Sequence, residues 1–423
     1  MKDYKIMVLK KIPKIFTMLV IILSMSFCNP NQIFGKKQKD VSDLVLLAIL
    51  TANQSDWVWD LPRGFPVPTV PAENPMSKAK VELGRHLFYE KRLSGNQTMA
   101  CSSCHFQSLA FSDGRELPRG ITNEEHPRNS QHLSNVAYAA RLTWNNPLMV
   151  NLEVQSRVPL FGDNPVELGL TNNNYLNLLR ADNLYRELFS RAYGNPDASV
   201  TEQNIRFALA SFQRSMISGW SNFDKISNRE PVNLSQTQID SIRRGNQFFN
   251  SEIAECFHCH GGFNFTDTNL HTGQLAPEFA YHNNGTHNDA YYNSLNDPQN
   301  HKQGLKEVTG LPSDQGKFKA PSLRNVGLTF PYMHDGSIMC DHSENPKRPE
   351  GVGKTNADCA RNAIGKVLDQ YAQGGNGHSN VDTTLIRTFA MSAQDKEDMI
   401  NFLMALTDER FINDPKFSNP FRN

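Results

Sequence analysis

Two five-residue stretches carry the same ordered set of ligating side chains. They are Cys101-Ser102-Ser103-Cys104-His105 and Cys256-Phe257-His258-Cys259-His260. Two thiols three positions apart, followed at once by an imidazole, can hold zinc, cycle as a dithiol, or carry haem. In the last case the thiols bond the two vinyl groups of one haem, and the adjacent histidine reaches its iron from the same side. With 7 cysteines and 13 histidines in 423 residues, chance supplies about 0.004 such matches, so two matches call for a chemical reason. A zinc ribbon brings its cysteine pairs within roughly 15–20 residues of each other, whereas Cys104 and Cys256 lie 152 positions apart. A thioredoxin-like dithiol needs a βαβ setting, which the pattern around these residues lacks. The residues therefore point to two covalently bound c-type haems, attached through Cys101, Cys104, Cys256 and Cys259. His105 and His260 are the axial iron ligands, and His258 reads as a spacer.

Three cysteines remain. Cys340 and Cys359 bracket one polar stretch and could pair, whereas Cys28 stands alone. Cys28 directly follows an apolar run, Ile15 to Phe27, which itself follows a basic start containing Lys2, Lys5, Lys10, Lys11 and Lys14. That order reads as a signal peptide over residues 1–28, with Cys28 as a lipid-anchor cysteine. The run is short for a membrane span, and a retained N-terminal anchor is the competing reading. Export to an oxidising compartment, the periplasm, permits both haem attachment and a disulfide. The formal net charge of zero gives no reason to expect a nucleic acid or another polyanionic partner. Contact with a membrane would come only through the anchor.

The elements that must position these residues read as helices. Residues 29–56 look like a tether, and 61–75, rich in proline, is unsuited to a helix or a central strand. Ala79, Leu83 and Leu87 recur at helical spacing in 78–90. Ile205, Leu209, Phe212 and Met216 share a face in 201–217, behind Thr201 as a cap. Ile239, Ile242 and Phe249 do the same in 237–249. Met399, Leu403 and Leu406 follow a Ser392–Asp395 capping box in 392–406. Each stripe reads as core, and alternating strand patterns are scarce. A helix precedes each haem motif, and related strings, "RNSQHLSNVAY" (128–138) and "KAPSLRNVGLTFPYMHDG" (319–336), follow them. The expected fold class is all-α, with two cytochrome c-like domains over 57–230 and 231–423 and a boundary near 225–234.

Several longer strings are similar to those of the bacterial dihaem cytochrome c peroxidase and MauG superfamily, with MbnH-type dihaem enzymes the nearest likeness. They are "NPMSKAKVELGRHLFYEKRLSGNQTMACSSCH" (74–105), "LTWNNP" (142–147), "VPLFGDNPVELGL" (158–170) and "PSLRNVGLTFPYMHDGS" (321–337). The resemblance covers roughly residues 57–410. It implies two helical cytochrome c-like domains with a calcium ion between the haems, held by Asn129 and by the backbone carbonyls of Thr329 and Pro331. It implies that the N-terminal haem meets peroxide, with Glu167 of the "NPVE" segment on its distal side. A carboxylate there would take a proton from one peroxide oxygen and return it to the leaving one; without the resemblance, Glu167 would read as a helix-start carboxylate. Trp144 matches the tryptophan that carries electrons between the haems. His334, in "YMHDG", falls near the haem edges with no assigned role.

Two departures from the peroxidases carry information. In the loop "RGITNEEHPRN" (119–129), Ile121 stands where many relatives have a histidine that caps the resting iron, and His126 does not match that spacing. In the helix segment "VLDQYAQGG" (367–375), Tyr371 takes the place of the methionine that ligates the second haem, as in MauG and MbnH-type enzymes. An added polar segment, 340–359, precedes it. These features imply a periplasmic oxidoreductase that uses hydrogen peroxide to form high-valent iron and then oxidises a side chain of a secreted substrate protein. One alternative is a cytochrome c peroxidase that detoxifies hydrogen peroxide with electrons from a small donor protein. The other is a non-enzymatic dihaem electron carrier or sensor.

Overall fold

Four helices form where the periodicity places them, and they pack as two crossed pairs. In the computed structural model of the chain, helix Lys78–Phe88 starts at Ser77, whose hydroxyl accepts from Lys80 N. Helix Glu202–Arg214 starts at Thr201, which accepts from Asn204 N. Gln236–Phe249 and Ala393–Met404 open with full capping boxes, Ser235 with Gln238 and Ser392 with Asp395. The first helix packs on the second and the third on the fourth. A glycine makes each crossing possible. A Cβ on Gly84 would lie 2.0 Å from Ala208 O, and one on Gly245 would lie 2.0 Å from Asp398 O. Four residues beyond each glycine an aromatic pair locks the crossing, Phe88 on Phe212 and Phe249 on Phe402, each with centroids 5.3 Å apart.

The structure describes residues 56–196, 198–274, 280–294, 302–340 and 357–421. The expected signal peptide, Cys28, the tether up to residue 55 and the interior of the 340–359 insertion lie outside them. Among the described residues the strand content is one ladder of two residues a side, Tyr281–His282 antiparallel to Phe318–Lys319, besides isolated bridges. The all-α expectation is amended to that extent. No described helix is long and apolar enough to cross a membrane. Cys340 and Cys359 are joined by a disulfide, and Cys359 lies in the first turn of helix Ala357–Ala372.

Residues from Ser55 onward form one compact unit with two main aromatic cores. Leu83, Phe88, Phe111, Leu209 and Phe212 build the first, and Ile242, Phe249, Phe265, Met399 and Phe402 build the second. The two ends of the described residues cross over. Phe411 and Phe417, from the C-terminal end, belong to the first core. Phe65, from the N-terminal end, packs on Phe263 with centroids 4.8 Å apart. A buried polar knot joins the halves. Asp408 Oδ2 accepts from Ser218 Oγ, Gly219 N and Trp220 N at 3.0, 2.9 and 3.0 Å. Asn135 and Asn325, both left-handed and each opening a 3₁₀ turn, bond to the same segment through Ser218. Burial of so many polar groups is tolerable because their partners are in place.

Candidate active site

Each cysteine motif folds as one 3₁₀ turn, Cys101–Ser103 and Cys256–His258. The chain then doubles back, and an aromatic residue with left-handed backbone turns its carbonyl onto the motif histidine. Phe111, at φ 66°, places its oxygen 2.6 Å from His105 Nδ1, and Phe265, at φ 50°, places its oxygen 3.3 Å from His260 Nδ1. A carbonyl can only accept, so each imidazole donates at Nδ1 and keeps the Nε2 lone pair for a metal. Burial also holds both imidazoles below their ordinary pKa, in the neutral form a ligand requires.

All four motif cysteines are free thiols. Burial pushes Cys101, Cys104 and Cys256 up to about 12, which is the opposite of the acidic thiol that a redox dithiol needs. Zinc fares no better. Among the described residues, the groups able to converge on a metal are Cys259 with Asp267 and His282, and His287 with His334 and Asp335. Neither holds both thiols of a motif. The arrangement suits haem: paired cysteines outside any disulfide, an imidazole that donates at Nδ1 and, at the second motif, a large cavity. That cavity is lined by Cys256, Cys259, His260, Leu368, Phe389 and Met399, among others.

Tyr371, at the end of helix Ala357–Ala372, lines this same cavity. Burial pushes its phenol up to about 12, against the pull of a hydrogen bond from Asn284 Nδ2 at 3.0 Å. Met333, of the "YMHDG" string, also lines the cavity. Asn284 lies 87 residues from Tyr371, and no local spacing in the sequence announces it.

Glu167 stands at the first motif. Its charge raises the thiols of Cys101 and Cys104 and favours protonation of His105, which places the carboxylate within electrostatic reach of all three. It is not at a helix start. Helix Arg157–Phe161 ends before it, Asp163 and Val166 form an isolated bridge, and the next helix begins at Asn174. The 119–129 loop holds the segment in place, with Ile121 N donating to Glu167 O at 2.9 Å. The loop closes on itself through the bridge of Arg119 with Glu125 and the bond of His126 N to Pro118 O. That closure brings His126 Nε2 to 3.3 Å from Glu167 Oε1. Linear spacing set His126 aside, and the turn of the loop restores it to the site.

Trp144 joins the two motifs. Its ring lines the second cavity, and its Nε1 donates to Asn129 O at 2.9 Å. The next residue, Ser130, donates to Cys104 O at 2.9 Å. Three bonded residues thus connect the first motif to the second cavity. Asn129, Thr329 and Pro331 line that cavity too. Among the described residues no hydrogen bond ends on Asn129 Oδ1 or on the carbonyls of Thr329 and Pro331. His334 is packed rather than free, with its ring stacked on Phe318 at 3.6 Å. His132 lines the cavity and bonds Ser322 O through Nε2 at 2.9 Å.

Comparison with known proteins gives the family. Residues 78–231 match the family model described as di-haem cytochrome c peroxidase. The chain is 32% identical over 355 residues to cytochrome-c peroxidase IdrP1 of Pseudomonas sp. (strain SCT), spanning 81% of this chain and 84% of that one. It is 31% identical over 302 residues to the methylamine utilization protein MauG of Methylophilus methylotrophus, spanning 70% and 81%. Among solved structures it is similar to a MauG-like protein associated with microbial copper homeostasis. The identity is 38% and the TM-score 0.75, over 86% of this chain and all of that one. With two cysteine–histidine motifs, a carboxylate beside the first of them and these relatives, the chain belongs to the dihaem cytochrome c peroxidase and MauG family, as a haem-dependent oxidoreductase that uses peroxide.

Proposed function

We propose that the enzyme uses hydrogen peroxide to oxidise a side chain on a partner protein, with two covalent c-type haems held by Cys101, Cys104 and His105 and by Cys256, Cys259 and His260. When bound, the haems supply the redox chemistry, storing and passing single electrons while peroxide is reduced to water. The observation that carries the reading is Tyr371 in the second cavity beside Cys256, Cys259 and His260. A phenolate ligand is hard and anionic, and it favours oxidised iron where a thioether would favour reduced iron. Ile121 in the 119–129 loop offers no ligand that would close the first site.

The chain's own residues divide the remaining work. Glu167 takes a proton from the near peroxide oxygen and returns it to the departing one, so that hydrogen peroxide with two electrons and two protons leaves as two waters. His126 steadies the carboxylate. Trp144, fixed by its bond to Asn129 O, lies on the route between the motifs. Asn129 Oδ1 and the carbonyls of Thr329 and Pro331 form the oxygen set a calcium ion would take, and the ion would fix Asn129 and hence Trp144. The setting is the periplasm, reached through the signal peptide and held at the membrane only by a lipid on Cys28. The copper-homeostasis association of a solved relative makes a secreted copper-handling protein the partner to try first, with a tryptophan as the target side chain.

The test mixes the oxidised, as-purified protein with hydrogen peroxide, with no added reductant. Direct reaction, followed by loss of two electrons and two protons from the partner's tryptophan, read as a mass change with water supplying any oxygen gained, supports the reading. Reaction only after one-electron reduction, with rapid turnover of a cytochrome c donor, supports the donor-fed peroxidase instead. No reaction in either state leaves an electron carrier. Pyridine haemochrome assay should return two haems per chain, and zinc in place of iron would overturn the assignment.

A further inference from the structure

We infer that Asn284 is a positioning residue for the second haem, an amide clamp that fixes the Tyr371 oxygen and tempers its donation to iron. The inference rests on the reading of Tyr371 as a ligand. An asparagine side chain is ambiguous by itself, because either end of the amide could face the phenol. Here the neighbouring residues decide. Asn284 Oδ1 accepts from Thr286 Oγ1 at 2.7 Å and from Thr286 N at 3.2 Å. Two donors on one end make it the carbonyl, so the other end is the NH₂ group. That group lies 3.0 Å from Tyr371 Oη and 3.7 Å from Met333 Sδ. Tyr371 Oη therefore accepts this bond.

The clamp is held from both sides. Asn376, five residues beyond Tyr371, donates its backbone N to Gly285 O at 2.8 Å and its Nδ2 to Thr286 O at 2.8 Å. Gly285 and Gly375 approach so closely that a Cβ on Gly375 would lie 3.0 Å from Gly285 Cα. Loop 283–286 and the turn after Tyr371 thus move as one piece, and the amide travels with the phenol. Asn283 ties the loop to the rest of the fold through Gln315 O at 3.1 Å and Asp382 N at 3.0 Å.

The chemistry follows from the direction of the bond. A donor aimed at a phenolate oxygen withdraws electron density from it and holds one of its lone pairs. The remaining density, and the angle at which it meets the metal, are then set by Asn284. Without the donor, the oxygen would give more charge to iron and would be free to swing. The second haem should then be harder to reduce and less uniform.

The test compares Asn284→Leu, Thr286→Val and Thr286→Ser with the wild-type holoprotein. The readouts are the phenolate-to-iron charge-transfer band, its resonance Raman modes and the midpoint potential of the second haem. A hydrogen bond to a charged acceptor is worth about a tenfold factor. Asn284→Leu should therefore lower the reduction equilibrium about tenfold, about 59 mV for one electron, with broadened phenolate modes. Thr286→Val, which removes one of the two bonds orienting the amide, should move both readouts part of the way, and Thr286→Ser should restore them. Potentials and Raman modes unchanged in Asn284→Leu would overturn the clamp. Tyr371→Phe separates the two ideas. If it leaves the second haem's spectrum untouched, Tyr371 is not the ligand and the underlying reading fails. If it alters the spectrum while Asn284→Leu does not, only the clamp fails.

Discussion

Replacing Glu167 by glutamine should slow the reaction with hydrogen peroxide by about 10²–10⁴-fold while both haems stay attached. The amide keeps the shape and removes the base. The structure allows the two parts of this site to be weighed separately. Glu167 and His126 are 35% and 24% exposed at the side chain and 3.3 Å apart. A pair that open to water is worth at most about 1 kcal/mol, which is roughly fivefold in rate. His126→Gln should therefore cost no more than about fivefold, and the double variant should look like Glu167→Gln alone. The assay is stopped-flow absorbance of the oxidised protein against peroxide concentration, with haem content checked by pyridine haemochrome. If Glu167→Gln reacts at the wild-type rate, the carboxylate is structural, a prop for the 119–129 loop. If His126→Gln costs as much as Glu167→Gln, the imidazole is itself a proton carrier rather than a support for the carboxylate.

Three further outcomes follow from the packing. Gly84→Ala and Gly245→Ala each set a Cβ 2.0 Å from a carbonyl oxygen of the crossing helix, and each should destabilise the fold by about 1–3 kcal/mol in urea titration. A neutral result at either would mean the helices separate freely. Changing Cys340 and Cys359 together to serine should cost about 3 kcal/mol by loop entropy for a separation of 19 residues, and dithiothreitol should then have no further effect. Glu90 is buried; burial raises its carboxyl, but its bonds from Arg92 and Tyr185 outweigh burial and hold it below its ordinary 4.5. Its contribution to stability is therefore present above about pH 4.5 and lost as pH falls through the lower, folded value. Thermal melts of Glu90→Gln should show a weaker fall in acid than wild type, and parallel acid profiles would refute the coupling.

What the sequence determined by itself was chemistry bound to short spacing. Two cysteines and a histidine within five residues must come together whatever the fold, and Ser392 with Asp395 can cap a helix because a spacing of three brings each side chain within reach of the other's backbone N–H. The repeat was legible only in part. The strings after each motif showed it, but Gly84 with Phe88 and Gly245 with Phe249 share no conspicuous string. Their likeness is one of packing, a glycine that lets two backbones touch and an aromatic that locks them. Tertiary structure decided everything that depends on long closure. It turned the 119–129 loop so that His126 meets Glu167. It led the C-terminal Phe411 and Phe417 back to the first core, across the boundary a linear reading draws. It brought Asn284 to Tyr371 across 87 residues. Side-chain spacing along a chain carries information over a few turns of helix. Beyond that, neighbours are chosen by which apolar faces bury together, and a polar partner such as Asn284 arrives with the loop that burial has placed.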